Sequence, residues 1–366
     1  MKFFYNLADL PKERMLLSNI EKAADSLNDK LDNLDPNMLD ISDYNKRYLK
    51  KHLSNIRSSL KKYAYILSWS LADTKVALNK FVFVDHGGGT GILSLLAKEL
   101  GIGTVIYNDI YDVSCRDAKV TGQATGIESD YYIGGDIDTL INFLQMNSIS
   151  CNAIASYDVI EHIYDIDEFL RKMSSLSDTA LNVVMASGAN PHNPLVRRKI
   201  VKQHLKAEFE NRVKEQGHKE RDSSAAYFEL RKQIILNYDQ SLSNAEAERL
   251  TKATRGLIEH EIGKCVEEYR RTGKIFRQPN HPTNTCDPYT GNWAEQLMDI
   301  NHLKRILLKK GFNVDIKPGY YAGSSRGYFQ RSAAPVLNFL IALFKSRGLI
   351  LSPFYTIYAR KPECLV

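Results

Sequence analysis

Apolar residues divide the chain into a helical beginning, an alternating middle and a mixed end. Over residues 1–78 they recur at helical spacing, first within 13–31 and then within 43–71, where they predict one long helix or a pair of helices. From residue 81 onward, short apolar runs alternate with helical stretches, which indicates a parallel sheet with helices on both faces. The predicted strands of this middle part are 81–85, 104–107, 131–133, 152–156 and 181–186.

The first of these strands leads into the stretch FVFVDHGGGTG at 81–91, on which the functional interpretation depends. Three consecutive glycines follow the strand, and the helical stretch ILSLLAKEL follows the glycines. Because glycine has no Cβ, the backbone of such a loop can approach a ligand closely, and the helix N-terminus behind it offers free N–H groups. The pattern predicts a nucleotide-type cofactor site at the carboxyl end of a parallel strand.

The spacing of the glycines separates two classes of cofactor. Asp85, Gly87, Gly89 and Gly91 form the pattern D-x-G-x-G-x-G. A dinucleotide fingerprint is G-x-G-x-x-G, and Ile92 stands where its third glycine would be. The spacing therefore argues against NAD.

A second signature, SYDVIEHIYD at 156–165, follows the fourth predicted strand. Together with the glycine loop it resembles the class I S-adenosylmethionine-dependent methyltransferases over residues 81–190, and the resemblance resumes over 293–315 with a helix, a glycine and a strand. It implies an α/β fold with a Rossmann-like, seven-stranded sheet, whose last strand, 352–360, is antiparallel.

The resemblance also implies S-adenosyl-L-methionine as the cofactor and assigns its binding residues. The glycine loop would wrap the methionine part, Asp85 would orient the ammonium group, and Asp109, about twenty residues past the loop, would accept both ribose hydroxyls. Asp136 would accept from the adenine amino group, with Asp138 as a competitor; a helix N-cap remains the alternative for Asp85, and a turn aspartate for Asp109. The full cofactor-binding set is Asp85, Gly87, Gly89, Gly91, Asp109, Asp136, Ile137, Tyr157 and Asp158.

The reaction implied is methyl transfer from a sulfonium, in which alignment is the main task and a base is needed only for a protonated acceptor. His162 is the first candidate base and His281 the second, with His192 third. The alternatives are a structural histidine at 162 and a plain surface loop at 281. A metal is not predicted, because His281, Cys286 and Asp287 have no second ligand pair in the sequence.

Two insertions interrupt the implied core. The predicted division is an N-terminal helical cap at 1–78, the methyltransferase core at 79–192 and 291–366, and a helical insertion at 193–290 that forms a lid over the acceptor site. The insertion is rich in basic residues. A second insertion, 320–348, contains the apolar stretch APVLNFLIALF, for which internal packing, a homodimer contact and a shallow membrane contact are the alternatives.

Composition limits the partners. The chain has 366 residues, a net charge of +6 and five cysteines without a C-x-x-C pair, which indicates free thiols in a reducing compartment, the cytoplasm. The N-terminus lacks the features of a signal peptide, and no run of eighteen apolar residues occurs, so no transmembrane helix is expected.

The predicted function is methyl transfer to oxygen or nitrogen of a small molecule. The alternatives are a nucleic-acid or protein methyltransferase that uses the basic insertion, and a binding protein without turnover. Nucleic acid is the less favoured partner, because residues 156–159 read Ser-Tyr-Asp-Val and not the Asn/Asp-Pro-Pro-aromatic run of enzymes that methylate exocyclic amines.

Overall fold

The computed structural model describes residues 9–177, 179–211, 223–279, 284–322 and 328–362. Contacts divide the chain into two compact units. The first comprises Met1–Ile160, Ile166–Gly188 and Asp299–Val366, and the second comprises Glu161–Asp165 and Ala189–Met298. The proposed lid role of the insertion stays a prediction.

A seven-stranded sheet forms the centre of the first unit. Its strands are β1 (Val82–His86), β2 (Thr104–Asp109), β3 (Tyr131–Gly134), β4 (Ala153–Tyr157), β5 (Leu181–Ser187), β6 (Asn313–Pro318) and β7 (Tyr355–Lys361). The order is β3-β2-β1-β4-β5-β7-β6, with β1 to β5 parallel and β7 antiparallel to both of its neighbours. β1, β2, β4 and β5 are almost wholly buried along their length, as expected of strands whose sheet is covered by helices on both faces.

Nine helices of the described residues belong to the first unit. They are α1 (Arg14–Asp32), α2 (Asp43–Leu53), α3 (Ile56–Ser70), α4 (Ile92–Glu99), α5 (Asp112–Thr125), α6 (Ile137–Met146), α7 (Ile166–Lys172), α12 (Ile300–Lys309) and α13 (Tyr328–Phe344). Four helices belong to the second unit: α8 (Pro194–Phe209), α9 (Tyr227–Tyr238), α10 (Asn244–Ala253) and α11 (Glu259–Thr272).

The N-terminal helices pack against the sheet. α1 and α3 contact α4, and α3 also contacts β4 and β5. Leu27, Leu60 and Leu67 from these helices are fully buried in one core cluster with Phe83 of β1. Burial of this many large apolar side chains makes the N-terminal region part of the same unit as the sheet, each side chain contributing about 1.5–3 kcal/mol.

One predicted element begins later than its sequence pattern suggested. The helical stretch expected from residue 294 starts only at Ile300, where the Asp299 side chain accepts hydrogen bonds from the backbone N–H groups of Asn301 and His302. An aspartate in this N-cap position satisfies N–H groups that the first turn of a helix leaves free.

The second unit has its own core. Ile234, Leu250, Ile262 and Val266 bring α9, α10 and α11 together. Buried polar groups accompany this packing elsewhere in the unit, where Glu208 accepts hydrogen bonds from a fully buried arginine and from a threonine hydroxyl. The unit is thus a helical body with an interior of its own.

Candidate functional site

The sheet places the glycine loop at the point where the strand order reverses. From β1 the chain moves outward to β2 and β3, and then returns to form β4 on the other side of β1. In open α/β sheets, ligands bind in the crevice at the carboxyl ends of the two strands that flank such a reversal. The loop that follows β1, the end of β2 and the end of β4 all reach this edge.

Gly87, Gly89 and Gly91 all adopt positive φ angles, of 68°, 52° and 78°. A Cβ on Gly87 would lie 2.5 Å from the side chain of Val159, and one on Gly91 would lie 3.2 Å from Ala118. Around Gly89, by contrast, the nearest atom of the described residues to such a Cβ is the Gly87 carbonyl oxygen at 4.0 Å. Gly89 therefore presents bare backbone to open space, as close approach of a ligand requires.

The end of β2 holds this loop in place. The backbone N–H groups of Gly87 and Gly88 donate to the Asn108 carbonyl oxygen, at 2.7 and 3.1 Å. The Tyr107 hydroxyl donates to the Gly89 carbonyl oxygen at 2.7 Å. Sequence reasoning missed Tyr107 and Gly88. The signal was the middle glycine of the three, because a Cβ at Gly88 would lie 2.5 Å from the Tyr107 ring.

Asp85 is buried at the end of β1. Its Oδ2 accepts hydrogen bonds from the backbone N–H and the hydroxyl of Ser94, at 3.0 and 2.8 Å, so it caps the first turn of α4. Burial raises the pKa of this carboxyl to about 7, with a contribution from Asp109, while the Ser94 hydrogen bonds oppose the rise. The N-cap of α4 is Gly91 and not Asp85, although Asp85 accepts from Ser94 in the first turn; its contact with an ammonium group stays a prediction.

Asp109 ends β2 and is 5% exposed. Its Oδ2 accepts from the backbone N–H of Gly89 at 3.1 Å, and its Oδ1 accepts from the backbone N–H of Tyr111 at 2.9 Å. The carboxylate thus lies against the glycine loop, as a residue that binds the same ligand should. Its contact with a ribose is a prediction.

Asp136 and Asp138, the two candidates for the adenine contact, have different partners in the structure. Asp136 is the N-cap of α6, and its Oδ1 accepts from the backbone N–H groups of Asp138 and Thr139. These bonds, chiefly the one from Thr139, lower its pKa. Asp138 instead pairs with Lys172 at 2.6 Å. Asp136 is exposed beyond the end of β3 and Ile137 is buried beneath it, so the adenine role of this pair stays a prediction.

Tyr157 and Asp158 mark the end of β4. Asp158 has a φ of 54°, and its Oδ1 accepts from the Gly188 backbone N–H at 2.9 Å. The Tyr157 ring lies edge-on to Tyr63 of α3, with centroids 6.1 Å apart, and the Lys62 Nζ lies 4.9 Å from its centroid. The two residues therefore meet the N-terminal helices at the carboxyl edge of the sheet.

No protein-family model and no curated protein matches the chain. Among solved structures it is similar to magnesium protoporphyrin IX methyltransferase ChlM from Synechocystis PCC 6803 with bound SAH, at 14% identity over 84% of this chain and 86% of that one, with a TM-score of 0.38. It is also similar to a SAM-dependent methyltransferase from Archaeoglobus fulgidus, at 15% identity over 86% and 99%, with a TM-score of 0.37.

A third similar structure is the plantazolicin methyltransferase BpumL in complex with SAH, at 11% identity over 95% and 100% of the two chains, with a TM-score of 0.37. TM-scores this low support no conclusion, so the fold is described from the sheet of this chain alone. The seven strands and the antiparallel last strand agree with what the resemblance implied. The chain has an α/β fold with a Rossmann-like, seven-stranded sheet.

Residues that the sequence did not single out also have strongly shifted pKa values in the N-terminal helices. His52 of α2 contacts the Ser59 hydroxyl through Nδ1 at 3.0 Å, and burial, together with Lys51 and Lys62, lowers its pKa to about 4. Burial also lowers the pKa of Lys62, while Asp158 opposes that shift. Lys62 is half-buried because its helix, α3, packs against β4 and β5.

Of the first two candidate bases, only His162 lies among the described residues. His162 lies in the second unit, where its Nδ1 is 2.8 Å from the Trp293 carbonyl oxygen. Because a carbonyl oxygen only accepts, Nδ1 carries the proton and Nε2 carries the lone pair of a neutral ring. His281 lies outside the described residues. Among the described residues, no group of three His, Cys, Asp or Glu side chains is placed to hold a metal ion.

Proposed function

We propose that this chain is an S-adenosylmethionine-dependent methyltransferase that acts on oxygen or nitrogen of a small-molecule acceptor. The observation that carries the proposal is the glycine loop at the switch point, with open space in front of Gly89 and the Asp109 carboxylate against its backbone. The open backbone can approach a small polar group of a cofactor, and the Asp109 carboxylate can accept hydrogen bonds from cofactor hydroxyl groups.

The chain's own groups fit such a cofactor. Asp109 would accept from the ribose hydroxyls, Asp85 would face the ammonium group, and Asp136 would accept from the adenine amino group. When bound, the cofactor supplies a methyl group already activated on a sulfonium. The protein's work is then to hold the acceptor in line and, for a protonated acceptor, to remove its proton.

Isothermal titration calorimetry tests the cofactor directly. S-adenosylmethionine or its demethylated product should bind with a dissociation constant in about the micromolar range. NAD should give no heat above dilution. If NAD binds and neither S-adenosylmethionine nor its demethylated product binds, the proposed function is rejected.

Asp85 should make cofactor binding depend on pH. Its pKa is raised from 3.8 to about 7 by burial. Between these values the folded protein holds a proton that the unfolded chain has released, so this group lowers the free energy of unfolding as the pH rises through that window. An ammonium ligand favours the carboxylate, so the affinity should rise about tenfold per pH unit until the carboxyl has titrated.

The measurement is calorimetry with the demethylated product from about pH 5 to about pH 9. Near the upper end of this range the amino group of the ligand itself loses its proton. Asp85→Asn keeps an oxygen for the Ser94 hydrogen bonds and removes the titrating group. The variant should lose the acidic limb of the profile. An acidic limb of equal slope in Asp85→Asn would assign it to another group.

We also propose that α13 makes the peripheral membrane contact considered from the sequence. Its outward side is exposed and apolar, at Val336, Phe339, Leu343 and Phe344, while Ile341 on the opposite side is buried. Ala333–Ile350 is long and apolar enough to cross a membrane, which is weak evidence on its own, and 28% of it is buried. Basic residues at 345 and 347 follow the stripe, and this combination favours a helix lying flat on an anionic surface.

Vesicle sedimentation tests this contact. The double substitution Phe339→Ser with Leu343→Ser should reduce binding to vesicles of phosphatidylcholine and phosphatidylglycerol by about tenfold or more, because it removes two exposed apolar side chains. Leu308→Ser, at an exposed leucine of α12, is the matched control and should change nothing. Light scattering that shows a dimer dissociated by the double substitution, without vesicle binding, would replace the membrane contact with a homodimer.

A further inference from the structure

A cavity of about 410 Å³ lies between β6 and α13. Three strands, β4, β5 and β7, separate β6 from β1, so the cavity is distinct from the glycine-loop site. Its lining includes Tyr65, Lys317, Tyr320, Asn338 and Lys345. This volume is within the range of small-ligand sites, which is about 300–1,000 Å³.

Lys317 supplies a buried positive charge to the cavity. The residue is 8% exposed, and its Nζ pairs with the Asp9 carboxylate at 3.0 Å. The same Nζ lies 3.9 Å from the ring centroid of Trp69 and 5.9 Å from that of Tyr358. Aromatic faces hold a cation without neutralising it, so the ammonium group keeps the capacity to attract a second anion.

Hydrogen-bond donors around Lys317 lack acceptors. Among the described residues, the Tyr65 hydroxyl, the Trp69 Nε1 and the Tyr358 hydroxyl have no hydrogen-bond partner. Trp69 and Thr356 lie near the Tyr65 hydroxyl, but neither pair has hydrogen-bond geometry. Leaving buried donors unpaired costs free energy, and such groups are common where a ligand supplies the partner. Of these three groups only Tyr65 lines the cavity, so its hydroxyl is the donor that can meet an acceptor oxygen of a ligand.

α13 connects this cavity with the exposed apolar stripe. Asn338, Ile341 and Lys345 of the helix and its C-terminal end line the cavity, while Phe339 and Leu343 between them point outward. A helix that lies on a lipid surface through its outer side would bring the cavity to the level of the headgroups.

We infer that this cavity binds the headgroup phosphate of an anionic phospholipid, with Lys317 and the Tyr65 hydroxyl as its principal contacts. The inference rests on the membrane contact of α13 and is independent of methyl transfer. A phosphate offers the charge that Lys317 can attract and an acceptor oxygen that the Tyr65 hydroxyl can use. Asp9 would share or yield its contact with the ammonium group.

Calorimetry with a soluble short-chain lipid tests the site apart from the vesicle contact. Dihexanoyl phosphatidic acid, kept below its micelle concentration, should bind to the full-length protein, and Lys317→Gln should weaken that binding about tenfold or more through loss of a charge-assisted contact. Tyr65→Phe removes only a hydroxyl and should weaken it by a smaller factor. The matched control is Lys98→Gln, a half-buried lysine paired with Asp130, which should bind as the wild type does.

Three results would overturn the inference. Equal affinity in wild type, Lys317→Gln and Tyr65→Phe would place the lipid elsewhere. Equal affinity for dihexanoyl phosphatidylcholine would remove the anionic specificity, and inorganic phosphate binding as tightly as the lipid would make the site one for soluble phosphates. Short-chain lipid binding that persists when vesicle binding fails would uphold the cavity and reject the α13 contact alone.

Discussion

His162→Ala should lower the rate of methyl transfer by about 10²- to 10⁴-fold, the usual contribution of a general base. The reason is the proton position: Nδ1 donates to the Trp293 carbonyl oxygen, which leaves Nε2 as the ring nitrogen that can take a proton from the acceptor. The affinity for the cofactor should stay unchanged. The measurement is turnover with labelled cofactor, once acceptor pools have been titrated to find a substrate, across a range of pH.

Two further variants complete this test. His260→Ala changes an exposed histidine of α11 and should have no effect. A purely structural His162 would lower the melting temperature and leave the acidic limb of the pH–rate profile in place, whereas a base takes that limb away. Activity that survives His162→Ala but falls with His281→Ala would move the base to 281. Full activity in both variants would mean that neither histidine transfers a proton.

Asp109→Ala should weaken cofactor binding by about 10- to 100-fold while the protein stays folded. Losing the charge-assisted hydrogen bonds that this carboxylate would make to ribose hydroxyls costs about 1.5–3 kcal/mol. Asp109→Asn refines the interpretation because its amide oxygen can still accept from the Gly89 N–H while the charge is gone. If Asp109 only shapes the loop, Asn should bind the cofactor nearly as well as wild type.

Asp130→Ala is the matched control for this prediction. Asp130 is also an acid of the sheet region, but it accepts from Lys98 and the Val105 backbone N–H at the start of β2 and β3, at the opposite edge. Its loss should change stability and leave the calorimetric dissociation constant as it was. An unchanged constant in Asp109→Ala would show that another residue holds the ribose.

Much of the sheet edge that holds the glycine loop could be predicted, because the local sequence encodes it. The run 81–91 contains a strand, three positive-φ glycines and a helix start, each with a residue type that only a few backbone conformations accept. Asp109 and Asp158 end strands, and carboxyl ends of neighbouring parallel strands meet at one edge whatever the rest of the chain does. The fold and the positions of these acids follow from patterns a few residues long.

Other features depended on contacts between distant parts of the chain. The Tyr107 hydroxyl beneath Gly89 and the burial of Lys62 beside Tyr157 join segments far apart in sequence. The pKa of Asp85 is set by burial, which a sequence window does not contain. A basic helix face looks the same in the sequence whether it lies in water or over a sheet edge.

The sequence by itself determined where the strands of the middle part lie along the chain, the glycine loop and the acids at the strand ends, because backbone conformation and hydrophobic period are local properties. Only the tertiary structure decided which polar groups are buried and which apolar side chains stay exposed to solvent. Phe339 and Ile341 are both apolar residues of α13, yet one is 66% exposed and the other 4% exposed. That difference arises from packing across the whole unit, since burial is a property of neighbours distant in the chain.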